Sequence, residues 1–166
     1  MISNQEIVEE LVSHFGPKIT ELEEPFGLLT FSASAEDIIP ILEYLNQNDR
    51  LRFKFLTDIA GIHFPDSKGK EFGVIYHLHG FENAVRLRIK VYLPKEKPEI
   101  PTASKLYASA NWMERETFDF YGIKFIGHPN LTRILNMDDM DYHPMRKEYP
   151  LEDGTREDKI DALFGR

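Results

Sequence analysis

The sequence predicts an α/β domain of the α+β type: a small, mostly antiparallel sheet packed on helices, continued by an extended C-terminal tail. Three observations lead there. In residues 84–93, Val85, Leu87, Ile89, Val91 and Leu93 alternate with Arg86, Arg88 and Lys90, and so strict a period of two marks a half-buried strand. Three other segments repeat their apolar residues at helical spacing. After Gly122 neither period is sustained, yet apolar residues remain frequent.

The elements follow in order. Ser3 and Glu6 form a capping box, and Ile7, Val8, Leu11, Val12 and Phe15 keep helical spacing until Gly16-Pro17 ends the helix. Two short apolar stretches, 18–22 and 26–31, flank Glu23-Glu24-Pro25 and read as a β-hairpin. A second helix carries Ile38, Ile39, Ile41, Leu42 and Leu45. Pro40 confines its start to the neighbourhood of Asp37, where a missing N–H costs nothing. Strands are expected at 50–63, 72–81 and 84–93. In the first, Leu51, Phe53, Phe55, Thr57 and Ile59 are assigned to the apolar face and Arg52, Lys54, Leu56 and Asp58 to the other. Phe72, Val74, Tyr76 and Leu78 make the apolar side of the second. A link containing Pro94, Pro98 and Pro101 closes the sheet, and Thr102 is expected to cap a third helix that runs to about Tyr121.

The expected division is an α/β domain over 1–122 and a tail over 123–166. The tail keeps Phe125, Ile126, Leu131, Ile134, Leu135, Met137, Met140, Tyr142 and Met145, too many apolar groups for a solvated linker. Anchors without periodicity bury one at a time against another surface, either the chain's own domain or a different polypeptide.

Composition narrows the chemistry. A chain of 166 residues is one domain's worth and buries roughly 70% of its unfolded surface, so it needs no covalent staples. Cysteine is absent, which removes disulfides, thiolate–metal sites, iron–sulfur ligation and a cysteine nucleophile. The net charge of −8 arises in residues 1–50, where ten acids face two bases. A general nucleic-acid binder has the opposite balance, and the aromatics Phe53, Phe55 and Tyr76 fall on the apolar face, away from Arg86, Arg88 and Lys90. No apolar run approaches a membrane span, and the N-terminus lacks the order of a signal peptide, so a soluble cytoplasmic chain is expected. Dinucleotide, P-loop and nucleophile-elbow motifs are missing. His77 and His79 share a strand face, and Asp138, Asp139, Asp141 and His143 lie close in sequence; either group could serve a stand-alone metal-dependent hydrolase. Glu114, Arg115, Glu116 and Asp119 form the densest polar cluster. It reads as a salt-bridged helix face or as an interface whose charges set register.

One block is more specific. Glu114-Arg115-Glu116, Asp119, Gly122-Ile123, Phe125, His128-Pro129, Leu131, Arg133-Ile134-Leu135, His143-Pro144 and Arg146-Lys147, at their spacings, closely resemble the 30 kDa-type subunit of bacterial respiratory NADH:quinone oxidoreductase (complex I). Phe55-Leu56-Thr57-Asp58-Ile59-Ala60-Gly61-Ile62 and the basic strand before Leu93-Pro94 extend the resemblance over most of the chain. Thr132, Met140 and Tyr142 depart from residue types common in that family. The resemblance implies a non-redox structural subunit of the peripheral arm, supporting the quinone-site subunits of a proton-pumping translocase. It implies no catalytic, cofactor-binding or metal-binding residue in this chain, with FMN and iron–sulfur clusters held by partner subunits and electrons passing from NADH to a quinone such as ubiquinone. The partners implied are subunits D and B and other peripheral-arm subunits, with no nucleic acid. Contact with the membrane is indirect, on the cytoplasmic side of the cell inner membrane. An equivalent subunit of a membrane-bound hydrogenase-type complex is a variant of the same reading. Carried over residue by residue, Glu114, Arg115, Glu116, Asp119, His128, Arg133, His143, Arg146 and Lys147 are expected to serve partner binding. The four helix residues would orient the tail's departure, and Arg133, Arg146 and Lys147 would meet partner carboxylates.

Overall fold

A computed structural model describes residues 2–149; the part of the expected tail beyond 149 lies outside the described residues. The chain runs α1 (Asn4–Phe15), β1 (Thr20–Glu23), β2 (Leu29–Ala33), α2 (Ile38–Gln47), β3 (Phe55–His63), β4 (Phe72–Gly80), β5 (Val85–Leu93), β6 (Glu99–Pro101), α3 (Ala110–Tyr121) and β7 (Lys124–Ile126). The α+β architecture expected from periodicity is the one observed. A five-stranded sheet has the order β1-β2-β5-β4-β3; β1–β2, β5–β4 and β4–β3 pair antiparallel, and β2–β5 pair parallel.

Local rules explain most boundaries. The Ser3 hydroxyl accepts from the Glu6 N–H while the Glu6 carboxylate accepts from the Ser3 N–H, completing the capping box of α1. Asp37 is the N-cap of α2, so Pro40 falls in its first turn, where no intrahelical donor is lost. The sheet's apolar side (Phe31, Ile59, Val74, Tyr76, Leu87, Ile89) merges with Ile7 and Leu11 of α1 and Ile38, Ile41, Leu42 and Leu45 of α2 into one core. Each such side chain contributes about 1.5–3 kcal/mol by leaving water. At the β3 edge, α3 lies so close that a Cβ on Gly61 would strike the side chains of Tyr121 and Thr117. Thr117 Oγ1 donates to the Ile59 carbonyl across this contact at 3.3 Å.

Three expectations are corrected. The third helix begins at Ala110, not beside Thr102, because the Thr102 hydroxyl is engaged with a side chain of the helix interior described below. The Pro-rich link does not simply end the sheet: Glu99–Pro101 pairs in parallel with Lys124–Ile126 to form a second, two-stranded sheet. In β3 the face assignment changes phase. Leu56 is buried and Phe55 is 43% exposed, because the strand starts only at Phe55 and the pairing shifts between Leu56 and Asp58. One extra residue in a strand flips every side chain beyond it. Phe55 therefore joins His79 and Phe81 on the open side of the sheet, its ring 5.2 Å from that of Phe81.

Candidate partner-binding site

The polar cluster of α3 divides by direction. Glu114, Thr117 and Asp119 point inward, and Trp112 and Glu116 are exposed. Two of the inward groups are carboxylates with no exposure, and a buried carboxylate needs a full set of donors. Each finds them in a different stretch of chain.

Asp119 receives the tail. Its Oδ2 accepts from the N–H groups of Ile134 (3.0 Å), Leu135 (2.8 Å) and Asn136 (2.9 Å), and its Oδ1 from Arg133 Nη1 (2.7 Å) and Asn136 Nδ2 (3.0 Å). Burial alone would push this carboxyl up, but the three backbone donors and Arg133 outweigh it and hold the group well below the usual carboxylate range. Arg133 then closes the loop on itself, its Nη2 donating to the carbonyls of Met140 (2.7 Å) and Tyr142 (2.9 Å). Arg115 stacks over Trp112 at 5.5 Å and donates to Thr132 Oγ1 and to the carbonyls of Thr132 and Arg133.

The tail also finishes the helix. An α-helix leaves its last four carbonyls without intrahelical donors. Here Phe118 O accepts from the Gly122 N–H, Asp119 O from Arg133 and from His143 Nδ1 (2.9 Å), Phe120 O from the Met145 N–H (3.1 Å), and Tyr121 O from Arg146 Nε (2.8 Å). Two guanidinium groups at this end complement the negative pole of the helix dipole. His143 must donate from Nδ1 to reach a carbonyl, and burial holds its pKa below the ordinary value despite that bond. Gly122 is left-handed (φ 74°), and an added Cβ would meet both Arg146 and His143.

Glu114 receives the 102–104 segment. Its Oε2 accepts from Thr102 Oγ1 (2.5 Å) and its Oε1 from the Ala103 N–H (2.6 Å). Burial dominates here and raises the carboxyl to about 7 against those two donors. His128 sits 3.9 Å away with its own bonds satisfied: Nδ1 accepts from the Asn130 N–H, so Nε2 donates to the Asn111 carbonyl.

Of the nine residues assigned to partner binding, seven spend their polar groups inside the chain: Glu114, Arg115, Asp119, His128, Arg133, His143 and Arg146. Glu116 and Lys147 are exposed, although the Lys147 N–H is donated to His63 Nδ1 at 2.9 Å. The apolar anchors divide as well. Phe125 is buried in the domain and Leu131 packs against it, whereas Leu135, Met137, Ile126 and Met145 point to solvent, and so does Trp112 beside them on α3. Sequence reasoning missed Thr102 and Asn136 as partners of the two acids, because neither i, i+4 spacing nor strand alternation links residues 12 or 17 positions apart.

The other candidate chemistry is arranged differently. His77 Nε2 accepts from Arg88 Nε at 3.1 Å, and its Nδ1 lies 3.8 Å from Asp58. Among the described residues no group of three or more His, Asp or Glu side chains converges to hold a metal, and no helix is long and apolar enough to cross a membrane.

Residues 31–155 match the family model described as respiratory-chain NADH dehydrogenase, 30 Kd subunit. A relative from Citrifermentans bemidjiense, an NADH-quinone oxidoreductase subunit of the same type, is 38% identical over 95% of this chain and 96% of its own length. Its counterpart from a Nocardioides species is 44% identical over 75% of this chain. Relatives differ in length: this chain spans only 50% of the Nocardioides protein and 52% of that from Mycolicibacterium paratuberculosis. A solved trypsin-resistant fragment of Nqo5 superposes with a TM-score of 0.66 at 31% identity, covering 77% of this chain and 99% of the fragment. A chain of an archaeal membrane-bound sulfane sulfur reductase shares the fold, with a TM-score of 0.76 at 24% identity over 89% of this chain and 85% of its own.

Proposed function

Because the chain belongs to the family of the 30 kDa subunit of respiratory-chain NADH dehydrogenase, we propose that it is the non-redox structural 30 kDa-type subunit of a proton-pumping NADH:quinone oxidoreductase. In this reading it stands in the peripheral arm on the cytoplasmic side of the cell inner membrane. Subunits D and B are its neighbours, and FMN and the iron–sulfur clusters reside in other chains. The domain over 1–122 presents the tail over 123–166 to the quinone-site subunits.

The observation that carries this reading is the family match across the domain and the docked tail together. The absence of cysteine agrees with it, since this chain has no thiolate to ligate a cluster. Its contribution would be shape. A quinone site walled by several subunits works when each wall is held to within about half an ångström. The hydrogen-bonded attachment of residues 131–146 to α3 is the kind of stiffness that requires.

The test is purification through an affinity tag on this chain, expressed in its own host. Recovery of NADH:quinone oxidoreductase activity with the tagged chain is expected. A tagged chain that emerges alone, while that activity remains in the untagged fraction, overturns the proposal. If the companions recovered oxidise a donor other than NADH, the related hydrogenase-type complex replaces it.

A further inference from the structure

We infer that the loop between Arg133 and Tyr142 is a preformed docking knob, whose Leu135 and Met137 side chains enter an apolar pocket with a basic rim on a neighbouring subunit. The inference rests on the reading above and deepens it by naming the contact and the chemistry of the surface that receives it.

Three observations meet at this loop. First, its polar backbone is already satisfied within the chain. Asp119 takes three successive N–H groups, and Arg133 takes the carbonyls of Met140 and Tyr142. A loop fixed before binding loses little conformational entropy on docking, which favours affinity. Second, Leu135 is 64% and Met137 67% exposed, although the same tail buries Phe125 to 2%. The loop's hydrogen bonds thus hold two large apolar side chains outward. Methionine's flexible thioether suits it to filling a pocket on another chain.

Third, the charge around the knob is one-sided. Asp138, Asp139 and Asp141 are exposed, and none has a cationic group within salt-bridge distance among the described residues. The loop's own arginine is turned inward onto Asp119 with 11% side-chain exposure, so it cannot neutralise them. An apolar tip inside an acidic collar is complementary to an apolar pocket lined at its edge by Lys or Arg. Such a rim governs on-rate and salt sensitivity, while the buried tip governs residence time.

The test uses the tagged full-length chain in its own host, comparing wild type with L135S/M137S and with D138N/D139N/D141N. The readout is NADH:quinone activity recovered with the tag at low and at high salt. The tip variant is expected to lower recovery at least tenfold while the melting temperature of the free chain stays unchanged. The rim variant is expected to lower recovery at low salt and to abolish most of its salt dependence. Recovery of the tip variant at the wild-type level overturns the inference. So does a lowered melting temperature, which would mean that this chain itself covers the tip, or a free-chain dimer dissolved by the tip variant, which would make a second copy the occupant. If the wild-type tag recovers no NADH-oxidising complex, the subunit assignment has failed. A failure of the knob alone leaves wild-type recovery intact and the tip variant equal to it.

Discussion

The sheet domain and the docked tail are held by opposite means. The domain is stabilised by apolar burial: α1, α2 and the inner face of the sheet pool their side chains in one core, and polar groups are kept to its edges. The tail between Leu131 and Arg146 is fastened by hydrogen bonds onto one carboxylate and four helix-end carbonyls, with several of its apolar side chains left outside. Burial is tolerant in detail, because many contacts share the load. A polar hub is not, because each partner removed strands another buried group. The difference teaches where each region is fragile.

The sharpest way to break the contrast is at Asp119. Asp119→Ala is expected to cost roughly 3–5 kcal/mol, since it leaves the buried Arg133 guanidinium unpaired and frees three backbone donors. Hydrogen exchange should show protection lost over 131–146 while the sheet strands keep theirs. Ile89→Ala should do the reverse. At about 2–5 kcal/mol it lowers the midpoint of global denaturant unfolding and spares the tail's local protection relative to that midpoint. Equal loss of protection in both regions for both variants would show one cooperative unit rather than two modes of attachment.

Protons discriminate further, because the two buried acids shift in opposite directions. Asp119 is depressed below its ordinary 3.8, so its stabilisation is complete above that value and disappears as pH falls through the folded value. Glu114 is raised from 4.5 to about 7, so its stabilisation is complete below 4.5 and disappears as pH rises through 7. Glu114→Gln keeps the shape and can donate to Thr102 while accepting from Ala103. It should match the wild type near pH 4.5 and exceed it by about 1–3 kcal/mol at pH 8, read from thermal melts across that range. The smallest effect is expected at the surface pair Lys18–Asp37 (2.7 Å, with Lys18 about half exposed): Lys18→Ala should change stability by less than about 1 kcal/mol and not at all at high salt.

What the sequence made legible follows the same division. Periodicity located both N-terminal helices, the hairpin, and strands β4 and β5, because apolar burial writes itself as spacing. It misplaced the faces of β3, where a bulge resets the alternation without any marker in residue type. It also placed Thr102 at a helix cap when its hydroxyl bonds Glu114. The resemblance drew attention to Glu114, Asp119 and Arg133, but not to what they touch. Arg115 and Asp119 are four apart and pair on paper, yet Arg115 reaches Thr132 and Asp119 reaches Arg133. Contacts made by polar side chains across long separations carry no period, so only coordinates reveal them.

The completed end of α3 also bears on how the polypeptide is made. The group that satisfies Tyr121 comes from Arg146, 25 positions later, so a nascent chain carries a ragged helix terminus until that arginine is synthesised. Its last folding event is then the arrival of its own C-terminal segment. A product cut short before Arg146 would display unsatisfied carbonyls and a loose strand of peptide, which is what proteases of the quality-control system degrade.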